Sequence, residues 1–296
     1  MTSVYAAYPV KRQRRTRAEL EAIHAALYEY AQRYQPVTVR QLFYAMTVQG
    51  IVPKEERGYD VIQRELVKLR EAGVFPYHWI ADSSRWIRKR PSFNRIEEAL
   101  LNTVQTYRRA LWASAEVYVE VWCEKEALSG VLAVETSRYD VPLMVSRGFS
   151  SVSYLYSTAA HMRAMGKPSF IYYLGDHDPS GVTIPRKIEE GLRRHAPDTE
   201  IHFERVAINP EQIEAWGLQT RPTKKTDSRA KNFEGESCEL DALPPEDLRR
   251  LVRGCIERHM SPWELTRQEL AEADERETWA ATFGQLLGME GEGCNA

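Results

Sequence analysis

Apolar positions in the first third of the chain recur at helical spacing. Leu20, Ile23, Leu27, Tyr30 and Tyr34 predict a helix over about residues 16–34, ended by Gln35-Pro36. Thr38 suits the N-cap of a second helix that runs through Arg40, Leu42, Phe43 and Tyr44 to about Gln49, where Gly50 closes it. Ile62, Leu66 and Leu69 predict a third helix over about 58–72, with Gly73 as its stop. Val74 to Ile80 reads as an extended, aromatic strand or wing. Three short helices and a wing predict a winged helix-turn-helix, although any small helical bundle shows the same helix spacing.

After a basic connector, Arg85 to Arg95, and a helix over about 94–111, the period changes. Val117 to Trp122, Val141 to Val145, Phe170 to Leu174 and Ile201 to Ala207 read as strands. Helical stretches separate them, over Lys125 to about Ser137, Ser150 to Met165 and Ile184 to Arg194. This alternation predicts an α/β fold with a mainly parallel, Rossmann-like sheet covered on both faces, and sites at the carboxyl ends of its strands. Beyond Thr220 a polar, basic loop leads to two further helices, over about 246–259 and 262–287. The expected organisation is a winged-helix domain with a basic arm over 1–95, a parallel-sheet domain over 96–215 and a helical C-terminal extension over 216–296.

Composition narrows the class. The 296 residues are 43% hydrophobic, which supports a real core, and no apolar run approaches the length of a membrane span. The polar, basic N-terminus lacks a signal-peptide pattern. Cys123, Cys238, Cys255 and Cys294 form no CxxC pair, and the histidines show no zinc spacing, so free thiols in a cytoplasmic protein are expected. Net charge is only −2, but residues 1–95 carry 17 Lys and Arg against 9 Asp and Glu, while the remainder carries 23 against 33. A basic first part facing nucleic acid and an acidic second part able to hold cations fit this asymmetry, as does chance clustering. Candidate DNA contacts are Lys11, Arg12, Arg14 and Arg15 in the arm, Arg88, Lys89 and Arg90 in the connector, and Lys224, Lys225 and Arg229 in the loop.

The chemistry-bearing residues lie at strand ends. Glu124 follows the first sheet strand, and Asp176 and Asp178 follow the third. Three carboxylates converging on one sheet edge, without a His or Cys cluster, suit Mg²⁺ or Mn²⁺. The same Asp-Pro-Ser-Gly stretch is also good turn chemistry in any protein. Lys125, beside Glu124, is a candidate phosphate contact; His177 reads as a bystander, and Glu120 and Glu126 as structural or solvated.

Val121-Trp122-Cys123-Glu124-Lys125-Glu126-Ala127-Leu128, followed by Leu174-Gly175-Asp176-His177-Asp178-Pro179-Ser180-Gly181, resembles a Toprim domain. Glu-Lys-x-Ala with Asp-x-Asp-Pro-x-Gly, behind a winged helix, is similar to the A subunit of topoisomerase VI and the related meiotic double-strand-break protein. The resemblance spans roughly residues 36–210. It implies metal-dependent cleavage of double-stranded DNA by a homodimer, with Glu124, Asp176 and Asp178 on the metal. It also implies a nucleophilic tyrosine preceded by an arginine on one helix, matched by Tyr44 and Arg40 in Thr38-Val39-Arg40-Gln41-Leu42-Phe43-Tyr44. In that family the tyrosine works against the Toprim site of the other protomer. Tyr44 equally suits a place in the helical core, and a hydrolytic Toprim nuclease or a non-catalytic DNA-binding module would carry the same acidic motifs. Arg147-Gly148-Phe149-Ser150-Ser151-Val152 stands where the family has Gly-aromatic-Pro-Asp followed by Thr-Arg. No phosphate loop of P-loop spacing is present, so an ATPase would have to be a separate subunit.

Overall fold

The computed structural model describes residues 15–81, 91–223, 233 and 235–286. They fall into two compact units, one ending at Ile80 and the other beginning at Ala81.

The first unit is built on three helices whose ends are encoded locally. Thr16 caps α1 (Arg17–Tyr34) and Thr38 caps α2 (Val39–Val48). In each case the threonine side chain accepts the N–H three residues on, and Glu19 or Gln41 reaches back to the cap backbone. Each such box stabilises its helix by about 1 kcal/mol. With α3 (Glu56–Glu71), the helices bury Ile23, Leu27, Leu42, Met46, Ile62 and Leu66 in one core. The expected strand over Val74 to Ile80 is not formed. Phe75 and Trp79 sink into the helical core, Tyr77–Trp79 is a single 3-10 turn, and Ile80 makes only an isolated bridge to Val37. Side-chain burial thus takes the segment out of an extended course.

In the second unit α4 (Ile96–Thr106) is shorter than the sequence suggests. Beyond it Tyr107 and Arg109 are tied instead to a late helix, through Tyr107 Oη to Glu275 at 2.6 Å and Arg109 N–H to Glu272 at 2.8 Å. There follow β1 (Tyr118–Cys123), α5 (Ser129–Arg138), β2 (Leu143–Val145), α6 (Val152–Met165), β3 (Ser169–Leu174), α7 (Thr183–His195) and β4 (Ile201–Ala207). The four strands form one parallel sheet in the order β2-β1-β3-β4. Alternation along β1 and β3 divides its two faces. Val119, Val121, Cys123, Tyr172 and Leu174 join one core; Trp122, Ile171 and Tyr173 join the other with α6 and α7.

The remaining elements are α8 (Pro210–Ala215), the short antiparallel pair β5 (Thr220–Arg221) and β6 (Ser237–Cys238), α9 (Pro245–Ile256) and α10 (Pro262–Leu286). Leu248, Val252 and Cys255 of α9 lie in the same core as Val121 and Leu174, with α5. The stretch that the sequence set apart as a C-terminal extension therefore covers one face of the sheet. Among the described residues no helix is long and apolar enough to cross a membrane.

Candidate functional site

β1 leads to β2 on one side and β3 lies on the other, so the strand order reverses between β1 and β3. In open parallel sheets, crevices form at the carboxyl ends of strands at such a switch point. Glu124 and Asp176 come from the two strand ends that meet there.

The ladder continues one residue past β1, where Glu124 N–H donates to Leu174 O at 2.9 Å. Glu124 Oε2 then accepts the Asp176 backbone N–H at 3.3 Å and the Tyr173 hydroxyl at 3.2 Å. Gly175 permits this approach, since a Cβ there would lie 2.6 Å from Glu124 Oε2. Burial, and then the neighbouring Asp176 and Asp178, raise the Glu124 carboxyl above its ordinary pKa. Burial likewise raises Asp176, against the opposing pull of Lys125.

Asp178 Oδ1 accepts the N–H groups of Ser180 at 3.0 Å and Gly181 at 2.7 Å, so it does cap the Asp-Pro-Ser-Gly turn. Arg205, on β4, holds that turn from beneath. Its guanidinium donates to Asp176 O at 2.7 Å, Gly181 O at 2.6 Å and Ile208 O at 2.9 Å. His177 is buried, its ring 5.0 Å from that of Phe233, and burial lowers its pKa.

The backbone of His177 pairs with Cys238 in both directions at 2.8 Å. This bridge brings the Glu239-Leu240-Asp241 turn against Asp176, whose Oδ1 accepts the Leu240 N–H at 2.8 Å. Lys125 Nζ lies 2.7 Å from Asp241, 3.1 Å from Asp176 and 3.4 Å from Glu239. Burial alone would lower the lysine pKa, but Asp241, Asp176 and Glu239 outweigh it and hold the ammonium well above its ordinary range. Glu239 is also paired with Arg221 at 2.7 Å. Glu239 and Asp241 were missed in the sequence; the only signal was two acids flanking one leucine ahead of Leu243-Pro244-Pro245.

Three hard carboxylates at a partly buried edge, with Asp176 and Asp178 both raising the pKa of Glu124, fit a divalent cation by donor chemistry. As the side chains stand, no group of three or more His, Cys, Asp and Glu is arranged to hold a metal ion among the described residues. On the same edge Arg147, in the left-handed region at φ 49°, pairs with Glu126 over a cleft lined by Ser146, Ser150 and Tyr154.

In the first unit Arg40 stacks its guanidinium 4.7 Å from the Tyr59 ring centroid. Tyr44, one turn on, is 8% exposed with its ring 5.6 Å from that of Phe43. Arg15 is partly buried just ahead of α1. The other candidate DNA contacts, Lys11, Arg12, Arg14, Arg88, Lys89, Arg90, Lys224, Lys225 and Arg229, lie outside the described residues. No family model matches the chain, and no curated protein does.

Proposed function

We propose that the chain binds double-stranded DNA and cleaves its backbone in the manner of a topoisomerase VI A subunit. In this reading a winged-helix unit precedes a Toprim unit, and Glu124, Asp176 and Asp178 hold Mg²⁺ or Mn²⁺. The observation that carries it is the meeting of Glu124 and Asp176 at the sheet's switch point, with Glu124 Oε2 on the Asp176 N–H. Such a bound ion supplies Lewis-acid polarisation of the phosphate and stabilises the departing oxygen.

Tyr44 Oη attacks phosphorus, and its proton passes to solvent. The P–O3′ bond breaks, and the 3′ oxygen takes up a proton. The products are a 5′-phosphotyrosyl link and a 3′-hydroxyl. Arg40, one helical turn before Tyr44, supplies positive charge on the same face. The cleavage unit is a homodimer, with any ATPase on a separate subunit.

The low exposure of Tyr44 favours a second reading, in which water is the nucleophile and Tyr44 is a core residue. The test is plasmid cleavage in Mg²⁺ or Mn²⁺ by wild type and Tyr44→Phe, stopped with detergent before protease. DNA that stays attached to protein in the wild type alone supports transesterification. Free 5′-phosphate ends from both proteins support hydrolysis. No cleavage by either, with binding retained, points to a non-catalytic DNA-binding module.

A further inference from the structure

The acidic edge holds two groups of carboxylates that share one member. Glu124, Asp176 and Asp178 make the first in the proposed reading, tied by the bond from the Asp176 N–H to Glu124 Oε2; Asp176, Glu239 and Asp241 make the second. Lys125 lies inside the second. An ammonium group has three N–H donors, and three carboxylates surround this one at 2.7, 3.1 and 3.4 Å. Consecutive residues in extended backbone point to opposite sides, and Lys125 has φ −96° and ψ 116°. Glu124 is therefore turned to the first group and Lys125 to the second. Asp176 stands between them, with Oδ1 occupied by Lys125 Nζ and the Leu240 N–H.

We propose that the Lys125 ammonium is the resident cation of the second carboxylate group, so that the centre takes one divalent ion rather than two and Lys125 does not contact DNA. The inference rests on the reading of Glu124, Asp176 and Asp178 as metal ligands. A second divalent ion would have to expel an ammonium tethered by the chain and replace all three of its ion pairs. Asp176 then offers Oδ2 to the first ion, while Glu239, Asp241 and the Leu240 N–H fix its orientation from behind. Such outer contacts tune metal affinity through the ligand they hold.

The test is Mn²⁺ binding by the full chain without DNA, followed by electron paramagnetic resonance titration, with circular dichroism as a check on folding. The wild type is expected to bind one ion and Lys125→Met two. Glu239→Gln/Asp241→Asn in the wild-type lysine background is expected to keep one. Two ions on the wild type, or one on folded Lys125→Met, would overturn the inference alone. So would loss of the ion from the Glu239→Gln/Asp241→Asn variant even at saturating Mn²⁺, which would make those acids direct ligands; an ion held only more weakly fits their place behind Asp176. If Lys125→Met does not fold, the ion count of the wild type decides: one ion supports the inference and two overturn it. No ion on the wild type overturns the metal reading and this inference with it.

Discussion

Glu124 Oε2 accepts the backbone N–H of Asp176 at 3.3 Å, so the side chain ending one central strand is hydrogen-bonded to the main chain leaving its neighbour. The bond ties two positions far apart in sequence at the one place where the strand order reverses. Both residues belong to the second unit.

Replacing either carboxylate by its amide tests the edge. Glu124→Gln and Asp176→Asn are expected to lower DNA cleavage by about 100-fold or more, on the scale of losing a preorganised charge-stabilising group. Melting temperature should stay near that of the wild type. A plasmid assay and a thermal melt check both parts, and wild-type cutting by either variant would remove these residues from the chemistry.

Arg205 should act through the turn it grips. Its fork reaches three backbone carbonyls, and a lysine keeps the charge without the fork. Arg205→Lys is therefore expected to weaken Mn²⁺ binding by about 10- to 100-fold, the range for losing an outer contact. A titration that matched the wild type would make the fork dispensable.

Gly175→Ala introduces a methyl group 2.6 Å from Glu124 Oε2 and 2.7 Å from the Tyr173 ring. The expected cost is about 1–3 kcal/mol, as for other overpacked sites. Cleavage should fall along with the urea midpoint, because the group displaced is Glu124 itself.

The first unit carries its own acid-sensitive contact. Glu65 is 1% exposed on α3 and meets Lys68 at 2.9 Å, His24 at 3.1 Å and Arg64 at 3.1 Å. Burial pushes its pKa up, but these partners outweigh burial and bring it down to about 2. A depressed carboxylate stabilises the fold at pH values above its unfolded pKa of 4.5, and that stability fades as pH falls towards 2. Glu65→Gln should therefore cost about 1–3 kcal/mol at neutral pH, the scale of charged hydrogen bonds, with the difference shrinking below pH 4.5. Paired denaturant melts at pH 7 and pH 3 would show it; a gap that did not narrow would place the effect elsewhere.

What the sequence revealed follows from the range of the forces involved. The caps at Thr16 and Thr38 and the strand Ile201–Ala207 were readable because a few adjacent residues specify each. Glu124, Asp176 and Asp178 stood out because β-prone runs end just before them. The aromatic run Phe75 to Trp79 misled because the same residues suit a strand and a helical core, and only tertiary burial decides between them. Glu239 and Asp241 stayed hidden because their role depends on the Cys238–His177 bridge, which no local pattern announces. The docking of α9 on the sheet was hidden for the same reason: its apolar stripe shows that it packs, not against what.

β1 and β3 are flanked by strands on both edges and covered on both faces. Their amides should be among the last to exchange with deuterated solvent, opening only when the unit unfolds as a whole. The acidic edge is hung from those two strands, so heating should not loosen it early. Thermal inactivation is expected to coincide with the melting of this unit, and a brief heat pulse below that point should leave the centre intact.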